Sequence, residues 1–305
     1  MSENASPLFT ISIPTYNRAD GYLRETLTSA CQQTYDNLEI MVSDNCSPDH
    51  TDQVVKSFRD PRIRYVKHKK NLGHGGNFNF CVEGARGKYV LVLHDDDLIE
   101  PDFFETFANQ LDHDEEYVML RSGVNVIDEV GNKLETLPNQ SNGDTGVKGF
   151  LNDWFDGAPL YMCNSIYNRQ KLIDIGGFYS RHELFHDVAS VVKLVSTGPR
   201  LEIEQPMASF RRHGASDGGS ASVENWADDC VYLREVIEEK TNNDEHIAQR
   251  ANAYLCRKMY RFVSRRSMSP VKRLLHYRKL DELFDHSYPY LKFIWQQFRA
   301  SLRNK

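Results

Sequence analysis

The sequence has few cysteines and no long apolar run. Its six cysteines lie far apart and form no C-x-x-C pair, which excludes a disulfide framework and a cysteine-rich zinc site and favours free thiols in a reducing compartment. Runs such as Tyr89–Leu93 are far shorter than the ~20 apolar residues of a spanning helix, so an integral membrane protein is excluded. The N-terminal MSENASPLF lacks the basic and apolar regions of a signal peptide, and we therefore expect a cytoplasmic protein.

The common nucleotide-binding motifs are also missing. No G-x-x-x-x-G-K-[ST] occurs, which excludes a P-loop NTPase. Gly73–Gly76 is rich in glycine but does not match G-x-G-x-x-G after a first strand, which argues against a dinucleotide enzyme. A sugar nucleotidyltransferase would need a glycine-rich, basic loop where this chain has PTYNRAD.

Charge is distributed unevenly along the 305 residues. The net charge is −6, but residues 251–305 hold 13 Lys/Arg against 3 Asp/Glu, a balance of +10 that leaves −16 on the rest. A basic tail on an acidic body favours an anionic partner for the tail. A solvated helical face is the alternative that stays open. Because the body is acidic, we expect no binding of nucleic acid.

Short apolar runs alternate with helical spacing over the first ~120 residues. This alternation predicts an α/β fold with a mostly parallel sheet flanked by helices, followed by a helical extension beyond Val223 that is broken at Pro270 and Pro289. The predicted strands are Leu8–Ile13, Leu38–Ser43, Ile63–Val66, Tyr89–Leu93, Val124–Ile127, Leu160–Asn168 and Pro206–Arg212. The predicted helices are Tyr22–Gln33, Asp49–Phe58, Asn77–Ala85, one beginning at Pro101, and Asp187–Val195. The predicted loops are Gly143–Gly149 and a mobile one at Gly214–Ser222.

Three of these strands end in polar or acidic residues. They run into PTYN, into Asp44-Asn45 and into HDDD, and ligands bind beyond the carboxyl ends of such strands. Adjacent carboxylates repel and lose hydration, a cost that Mg²⁺ or Mn²⁺ removes by binding hard oxygen ligands. The pattern therefore indicates a site for a metal and a diphosphate. The alternative is an acidic turn and helix cap before Pro101, and an ordinary loop and cap after Asp44.

Several motifs in order resemble family 2 glycosyltransferases of the GT-A fold. They include FTISIPTYNRADGYLRETLTSACQQTYDNLEIMVSDNCSPDHT, NLGHGGNFNFCVEGARGKYVLVLHDDDLIEPDFF, GVNVIDEVGNK, SIYNRQKLIDIGGFYS, HDVASVVKLVSTG and FRRHGAS. The match covers about residues 8–220, and the ordered set is much more specific than one D-x-D. The resemblance implies a Rossmann-like GT-A domain and transfer of a sugar with inversion at the anomeric carbon.

The resemblance also implies roles for the matched positions. The positions that match the nucleotide-sugar pocket are Pro14, Thr15, Tyr16, Asn17, Asp44, Asn79, Asp95 and Asp96. Those that match ligands of Mn²⁺ or Mg²⁺ are Asp96, Asp97 and His213. Asp96 is the first choice, because His94 stands where many members have the first Asp of the motif. Asp187 matches the catalytic base, although His186 replaces the Glu that usually precedes it.

The implied organisation is a catalytic domain over 1–220 and a basic helical region over 221–305. Within the first, residues 1–120 would bind the nucleotide-sugar and residues 121–220 the acceptor, while Gly214–Ser222 would close over the donor.

The expected function is transfer from a nucleotide-diphospho-sugar, with a UDP-sugar expected, to a glycan or lipid-linked acceptor in bacterial surface polysaccharide synthesis. The basic, aromatic C-terminal helices would lie on the inner face of the membrane, or form a helical bundle or a contact between copies. A catalytically inactive binding or membrane-adaptor protein on the same fold is the rival interpretation.

Overall fold

The computed structural model describes residues 7–112, 114–213 and 221–303. The chain divides into two compact units. The first is Met1–Tyr179 with Ser190–Ser216, and the second is Ser180–Ala189 with Asp217–Lys305. The functional division into 1–220 and 221–305 stays a prediction.

The first unit contains one nine-stranded sheet in the described part of the chain. Its strands are β1 Phe9–Thr15, β2 Leu38–Asp44, β3 Ile63–Lys67, β4 Tyr89–Val92, β5 Leu98–Ile99, β6 Met119–Ile127, β7 Lys133–Leu137, β8 Ser165–Asn168 and β9 Arg200–Arg211. The order is β3-β2-β1-β4-β8-β6-β9-β5, with β7 on β6. Neighbours from β3 to β4 are parallel, whereas β8 is antiparallel to both β4 and β6.

Helices flank this sheet, which confirms the predicted α/β class. They are α1 Leu23–Cys31, α2 Thr51–Ser57, α3 His74–Glu83, α4 Phe103–Gln110, α5 Val147–Asp156, α6 Arg169–Asp174 and α7 His186–Val195, with a 3₁₀ turn at Met162–Asn164. In α1 the buried side chains Leu23, Leu27 and Ala30 recur at four- and three-residue spacing. This spacing puts them on one helix face against the core.

The paired strands β1 and β2 lie in the core, because every residue of both strands is buried. Such burial on both sheet faces explains their near-continuous apolar sequences. Two polar residues inside β1 have partners, since the Thr10 hydroxyl donates to Glu39 at 2.9 Å and the Ser12 hydroxyl to the Cys81 carbonyl at 2.8 Å. Gly87 lies so close to β1 that an added Cβ would stand 2.7 Å from the backbone of Phe9 and Thr10.

The described part of the second unit is helical. Beyond the first turn of α7 it consists of α8 Val223–Lys240, α9 Glu245–Arg265, α10 Pro270–Leu283 and α11 Tyr290–Arg303. The predicted break at Pro270 is the first turn of α10, where Ser269 caps the helix by accepting from Lys272 N–H. A break at 241–244 was missed, although Asn242 and Asn243, both with positive φ, precede the N-cap Asp244. Within the described residues, none of these helices combines the length and apolar character needed to cross a bilayer.

Two helices differ from their predicted positions. The helix α3 begins at His74, not Asn77, because Gly73 takes a positive φ of 78° immediately before it. The helix α5 overlaps the predicted loop Gly143–Gly149, since Phe150, Leu151 and Trp154 are buried along one side. Burial of these three side chains outweighs the low helix propensity of the glycines around them.

The last strand is longer than predicted. It begins at Arg200, six residues before the predicted start at Pro206, because it pairs along β6 from Met119 onward. The β6–β9 register shifts around Gly123, which faces Pro206. A proline lacks the N–H of a ladder bond, so an irregular position is where a strand tolerates it.

We expect Gly87→Ala to lower the free energy of unfolding by about 2 kcal/mol, because a Cβ there would push β1 and β4 apart. Urea denaturation would measure this loss. Gly21→Ala is the matched control, since its Cβ would meet its nearest neighbour at 3.4 Å, an ordinary contact distance. Equal midpoints for the two variants would contradict the close approach.

Candidate active site

The carboxyl ends of the parallel strands meet at one edge of the sheet. Thr15 at the end of β1 pairs with Asp44 at the end of β2, and β4 on the other side of β1 leads into the acidic run after Leu93. Pro14 and Thr15 lie in β1 and are buried, as is Asp44. The edge that sequence analysis selected is therefore formed by neighbouring strands.

The loop after β1 is tied to the loop after β2. Asn17 has a positive φ of 56°, and its N–H donates to the Ser47 hydroxyl at 2.9 Å. The N–H of Ala19 donates to Asp49 at 2.9 Å. These bonds fix the backbone on both sides of the loop, and Tyr16 keeps 47% of its surface exposed there, so its ring is available to a ligand.

Asp44 is fully buried yet well supplied with donors. Its carboxylate accepts from Ser47 N–H at 2.7 Å and from the Tyr65 hydroxyl, and Lys67 Nζ lies 3.9 Å away. Burial, followed by the bond and the negative charge of Asp44, raises the pKa of Tyr65, so this hydroxyl stays a donor. Asp44 is thereby held in one orientation.

Amide side chains behind Asp44 hold the next loop, and sequence analysis did not identify them as part of the site. Asn45 accepts from Leu72 N–H at 2.7 Å and donates to the Gly73 carbonyl at 3.1 Å. Asn77 accepts from the Ser43 hydroxyl at 2.6 Å. The available signal was that Asn45 and Asn77 both stand inside the quoted motifs.

The side chain of Asn79, which was predicted to bind the nucleotide-sugar, is hydrogen-bonded to the backbone of Phe178. Its amide donates to the Phe178 carbonyl at 3.0 Å and accepts from Phe178 N–H at 2.8 Å. This reciprocal pair fixes the turn at Gly177, where a Cβ would meet the Asn79 oxygen at 2.4 Å. The predicted role of Asn79 in donor binding stays a prediction.

The acidic run after β4 crowds its charges in a poorly hydrated place. Burial, with the charge of Asp96, raises the pKa of Asp95 to about 6, and Arg18 at 3.8 Å opposes that shift. Burial and Asp96 also raise the pKa of Asp97 well above its ordinary value. Two of three adjacent carboxylates thus resist ionisation, which is the electrostatic cost expected from their sequence.

Arg211 at the end of β9 organises this run. Its guanidinium is fully buried and donates to the Asp96 carbonyl at 2.9 Å and to the Glu25 carboxylate at 2.7 Å, while its own N–H donates to Asp97 at 2.9 Å. It also stacks 4.3 Å from the ring centroid of Tyr22. A single side chain therefore connects α1 with the acidic loop.

Of the predicted metal ligands, Asp97 and His213 each have a ligand atom near Asp96, and their role in binding a metal stays a prediction. His213 Nε2 lies 2.8 Å from Asp96 Oδ2, and ligand atoms of His94, Asp96 and Asp97 all lie within 4.8 Å of one another. Imidazole nitrogen and carboxylate oxygen are a donor set suited to Mn²⁺, so the residues present fit such an ion. His94 was not predicted as a ligand, and its place directly before the acids was the available signal.

Asp187 belongs to the second unit, in the first turn of α7. Burial lowers the pKa of Lys258 in α9, and the negative charge of Asp187 opposes that shift. Its role as catalytic base stays a prediction. The predicted mobile loop Gly214–Ser222 lies outside the described residues as far as Ser220.

The model of the family described as Glycosyl transferase family 2 matches residues 10–176, more than half of the chain. The chain belongs to glycosyl transferase family 2. The matched residues include the ends of β1, β2 and β4.

Relatives within the family are similar over parts of their length. An uncharacterized glycosyltransferase of Rickettsia felis is 29% identical over 253 residues, 82% of this chain and 41% of that protein. The succinoglycan biosynthesis protein ExoO of Rhizobium meliloti is 35% identical over 106 residues, 35% of this chain and 30% of that protein. The chain spans less than two thirds of the first curated relatives that it matches.

Two solved structures show the GT-A fold of this family. One is S. aureus TarS 1–349 in complex with UDP-GlcNAc, with a TM-score of 0.61 and 16% identity over 91% of each chain. The other is the mannosyltransferase PcManGT of Pyrobaculum calidifontis in complex with GDP-Man and Mn²⁺, with a TM-score of 0.55 and 16% identity over 96% of this chain and 88% of that one. The predicted GT-A fold with C-terminal helices is confirmed.

We expect Arg211→Ala to lower the free energy of unfolding by about 3 kcal/mol. The change removes a positive charge beside buried Asp97 and leaves the carbonyl acceptors of Arg211 without a donor. Urea denaturation followed by circular dichroism would measure the loss. Arg212→Ala is the control, since Arg212 is exposed and its loss should change stability by less than about 0.5 kcal/mol. Matching midpoints would refute a stabilising role for Arg211.

Proposed function

We propose that this protein is an inverting, metal-dependent glycosyltransferase that moves a sugar from a nucleotide-diphospho-sugar to an acceptor hydroxyl. The observation that carries the proposal is the crowded cluster of His94, Asp96 and Asp97 beside the strand ends of a family 2 fold. Such a cluster suits a ligand that brings positive charge together with a diphosphate.

The donor would bind along the ends of β1, β2 and β4. Tyr16 would contact the base, and Asp44, held by Ser47 and Tyr65, would accept from the base or ribose. Pro14, Thr15 and Asn17 complete this part of the pocket, and Asp95 and Asp96 would contact the sugar or ribose.

A divalent cation held by Asp96 and Asp97 with His213, and with His94 as a further ligand, would stabilise the charge that develops on the leaving diphosphate. The structural neighbour in complex with GDP-Man and Mn²⁺ supports Mn²⁺ as the first choice, with Mg²⁺ as the second. The short Asp96–His213 contact supports a shared role for these two residues.

The acceptor hydroxyl is a poor nucleophile near neutral pH, so a base must take its proton as it attacks. We assign that base to Asp187. The acceptor oxygen forms its bond to the anomeric carbon from the face opposite the breaking bond to the diphosphate, which inverts the configuration.

A UDP-sugar is the proposed donor, in keeping with the TarS neighbour in complex with UDP-GlcNAc. The similarity to the succinoglycan biosynthesis protein ExoO supports a glycan or lipid-linked acceptor and a place in bacterial surface polysaccharide synthesis.

The proposal is tested by screening UDP, GDP, dTDP and CMP sugars with Mn²⁺ by thermal shift, and then by measuring nucleotide release. Asp96→Asn should weaken Mn²⁺-dependent nucleotide binding and abolish turnover. Asp187→Asn should keep nucleotide affinity and lower kcat by about 100-fold or more, the typical contribution of a general base.

Asp102→Asn is the control, because Asp102 is an exposed acid that follows the same loop. If the wild-type protein binds a nucleotide but turns over none of these donors, a catalytically inactive binding protein is the better interpretation.

We further propose peripheral contact with the inner face of the membrane through the basic C-terminal helices. α10 exposes Val271, Leu274 and Leu275, and α11 exposes Leu291, Ile294 and Trp295. Each set has the three- and four-residue spacing of one helix face. On α11, Phe293 is buried against Tyr260 and Tyr277. Apolar faces within a segment of charge +10 suit an anionic lipid surface.

We expect the protein to sediment with vesicles that contain phosphatidylglycerol and not with pure phosphatidylcholine, and binding to weaken as salt rises. The double variant Ile294→Ser/Trp295→Ser should reduce sedimentation several-fold. Val130→Ser, which removes an apolar side chain that is 76% exposed in the first unit, is the control. If sedimentation velocity shows that the wild-type protein is a dimer and the double variant a monomer, these faces would instead be assigned to a homo-oligomer.

A further inference from the structure

Several residues of the loop that precedes α7 donate hydrogen bonds to one carboxylate of α8. Asp229 is fully buried, and its Oδ1 accepts from His182 N–H at 2.8 Å. Its Oδ2 accepts from the Ser180 hydroxyl at 2.7 Å, from Leu184 N–H at 2.8 Å and from Phe185 N–H at 3.2 Å. Four donors from six successive residues therefore converge on a single side chain.

This loop would not hold its shape by backbone preference alone. Glu183, in the middle of the loop, has a positive φ of 58°, a left-handed conformation that is unfavourable for a residue with a Cβ. Bonds to a charged acceptor are worth more than neutral ones. The Asp229 carboxylate is thus well suited to keep Glu183 in this conformation.

More exposed residues of α8 also contact this loop. Arg181 donates to Asp228 at 2.7 Å and to Glu235 at 2.6 Å, and His182 Nε2 lies 2.9 Å from Asp228. These acids are about half exposed, so each pair contributes little on its own. The buried Asp229 is the contact that fixes the loop.

The loop that Asp229 holds ends at Phe185, two residues before the proposed base Asp187. Phe185 is buried against Trp226 at a ring distance of 5.0 Å, and Lys258 Nζ lies 4.8 Å from the centre of its ring. The charge of Asp187 acts on the same lysine. Groups from α8 and α9 therefore contact the residues at the start of α7.

We infer that Asp229 is a positioning residue for catalysis: by fixing Ser180–Phe185 it sets where α7 begins, and so where the Asp187 carboxylate stands when it takes the acceptor proton. The inference rests on the proposed function of Asp187. It assigns part of the C-terminal helical region to the reaction, beyond any role at a surface.

The test is Asp229→Asn in the full chain, assayed with Mn²⁺ and UDP-GlcNAc, or GDP-Man if that is the donor turned over. We expect kcat for nucleotide release to fall by about 100-fold, the usual effect of a catalytic group misplaced by about 1 Å. The donor KM and the affinity for Mn²⁺ and UDP in calorimetry should stay within two-fold of wild type. Hydrogen exchange should show lost protection at the amides of His182, Leu184 and Phe185.

Glu235→Gln is the matched control, because it removes a carboxylate of the same helix that contacts the same loop through an exposed pair. It should leave kcat unchanged. If Asp229→Asn does not fold, Ser180→Ala takes its place, since it removes one donor and keeps the carboxylate, and it should lower kcat several-fold at constant KM.

The outcomes separate the two claims. A folded Asp229→Asn or Ser180→Ala with wild-type kcat, in an assay where Asp187→Asn is inactive, overturns the inference and leaves the proposed function standing. A loss of donor binding together with kcat also overturns it, because that indicates a general structural role. No turnover by the wild-type protein overturns the proposed function and this inference with it.

Discussion

The edge of the sheet where β1, β2 and β4 end must hold several like charges in a place that water reaches poorly. Asp95 and Asp97 are buried, and Asp96 between them adds to the cost of ionising both. Arg211 provides one fixed positive charge and bonds to two of the three residues. The ends of β1, β2 and β4 are arranged around this repulsion, which a divalent cation would relieve further.

A second buried carboxylate, that of Asp229, has the opposite environment, because donors and not other acids surround it. Asp229 receives four donors, so its charge is satisfied by the protein itself and its effect is to order a loop. Asp97 accepts from the Arg211 backbone N–H and from the Cys163 thiol, and the negative charge of Asp96 opposes its ionisation. The comparison separates a carboxylate that shapes the chain from one that is suited to bind a ligand.

The parts of the fold and site that could be predicted are those that short sequence segments determine. Strands β1, β2 and β4 are apolar runs that stop at polar residues, and Asp96 and Asp97 follow directly, so one periodicity argument found both the sheet and its acidic edge. The helix α5 was missed because glycines around it dominate the local pattern, while its burial depends on distant strands. Arg211 and Asp229 act on residues far away in sequence, and no spacing rule reports such partners.

The same long reach of Arg211 has a consequence for synthesis. Its partners Asp96 and Glu25 precede it by 115 and 186 residues, and chains emerge from the ribosome N-terminus first. The nascent chain therefore carries its acids for some time before their counter-charge exists. Contacts of such high sequence separation form late and slowly, so the acidic loop after β4 reaches its final shape only after β9 has joined the sheet.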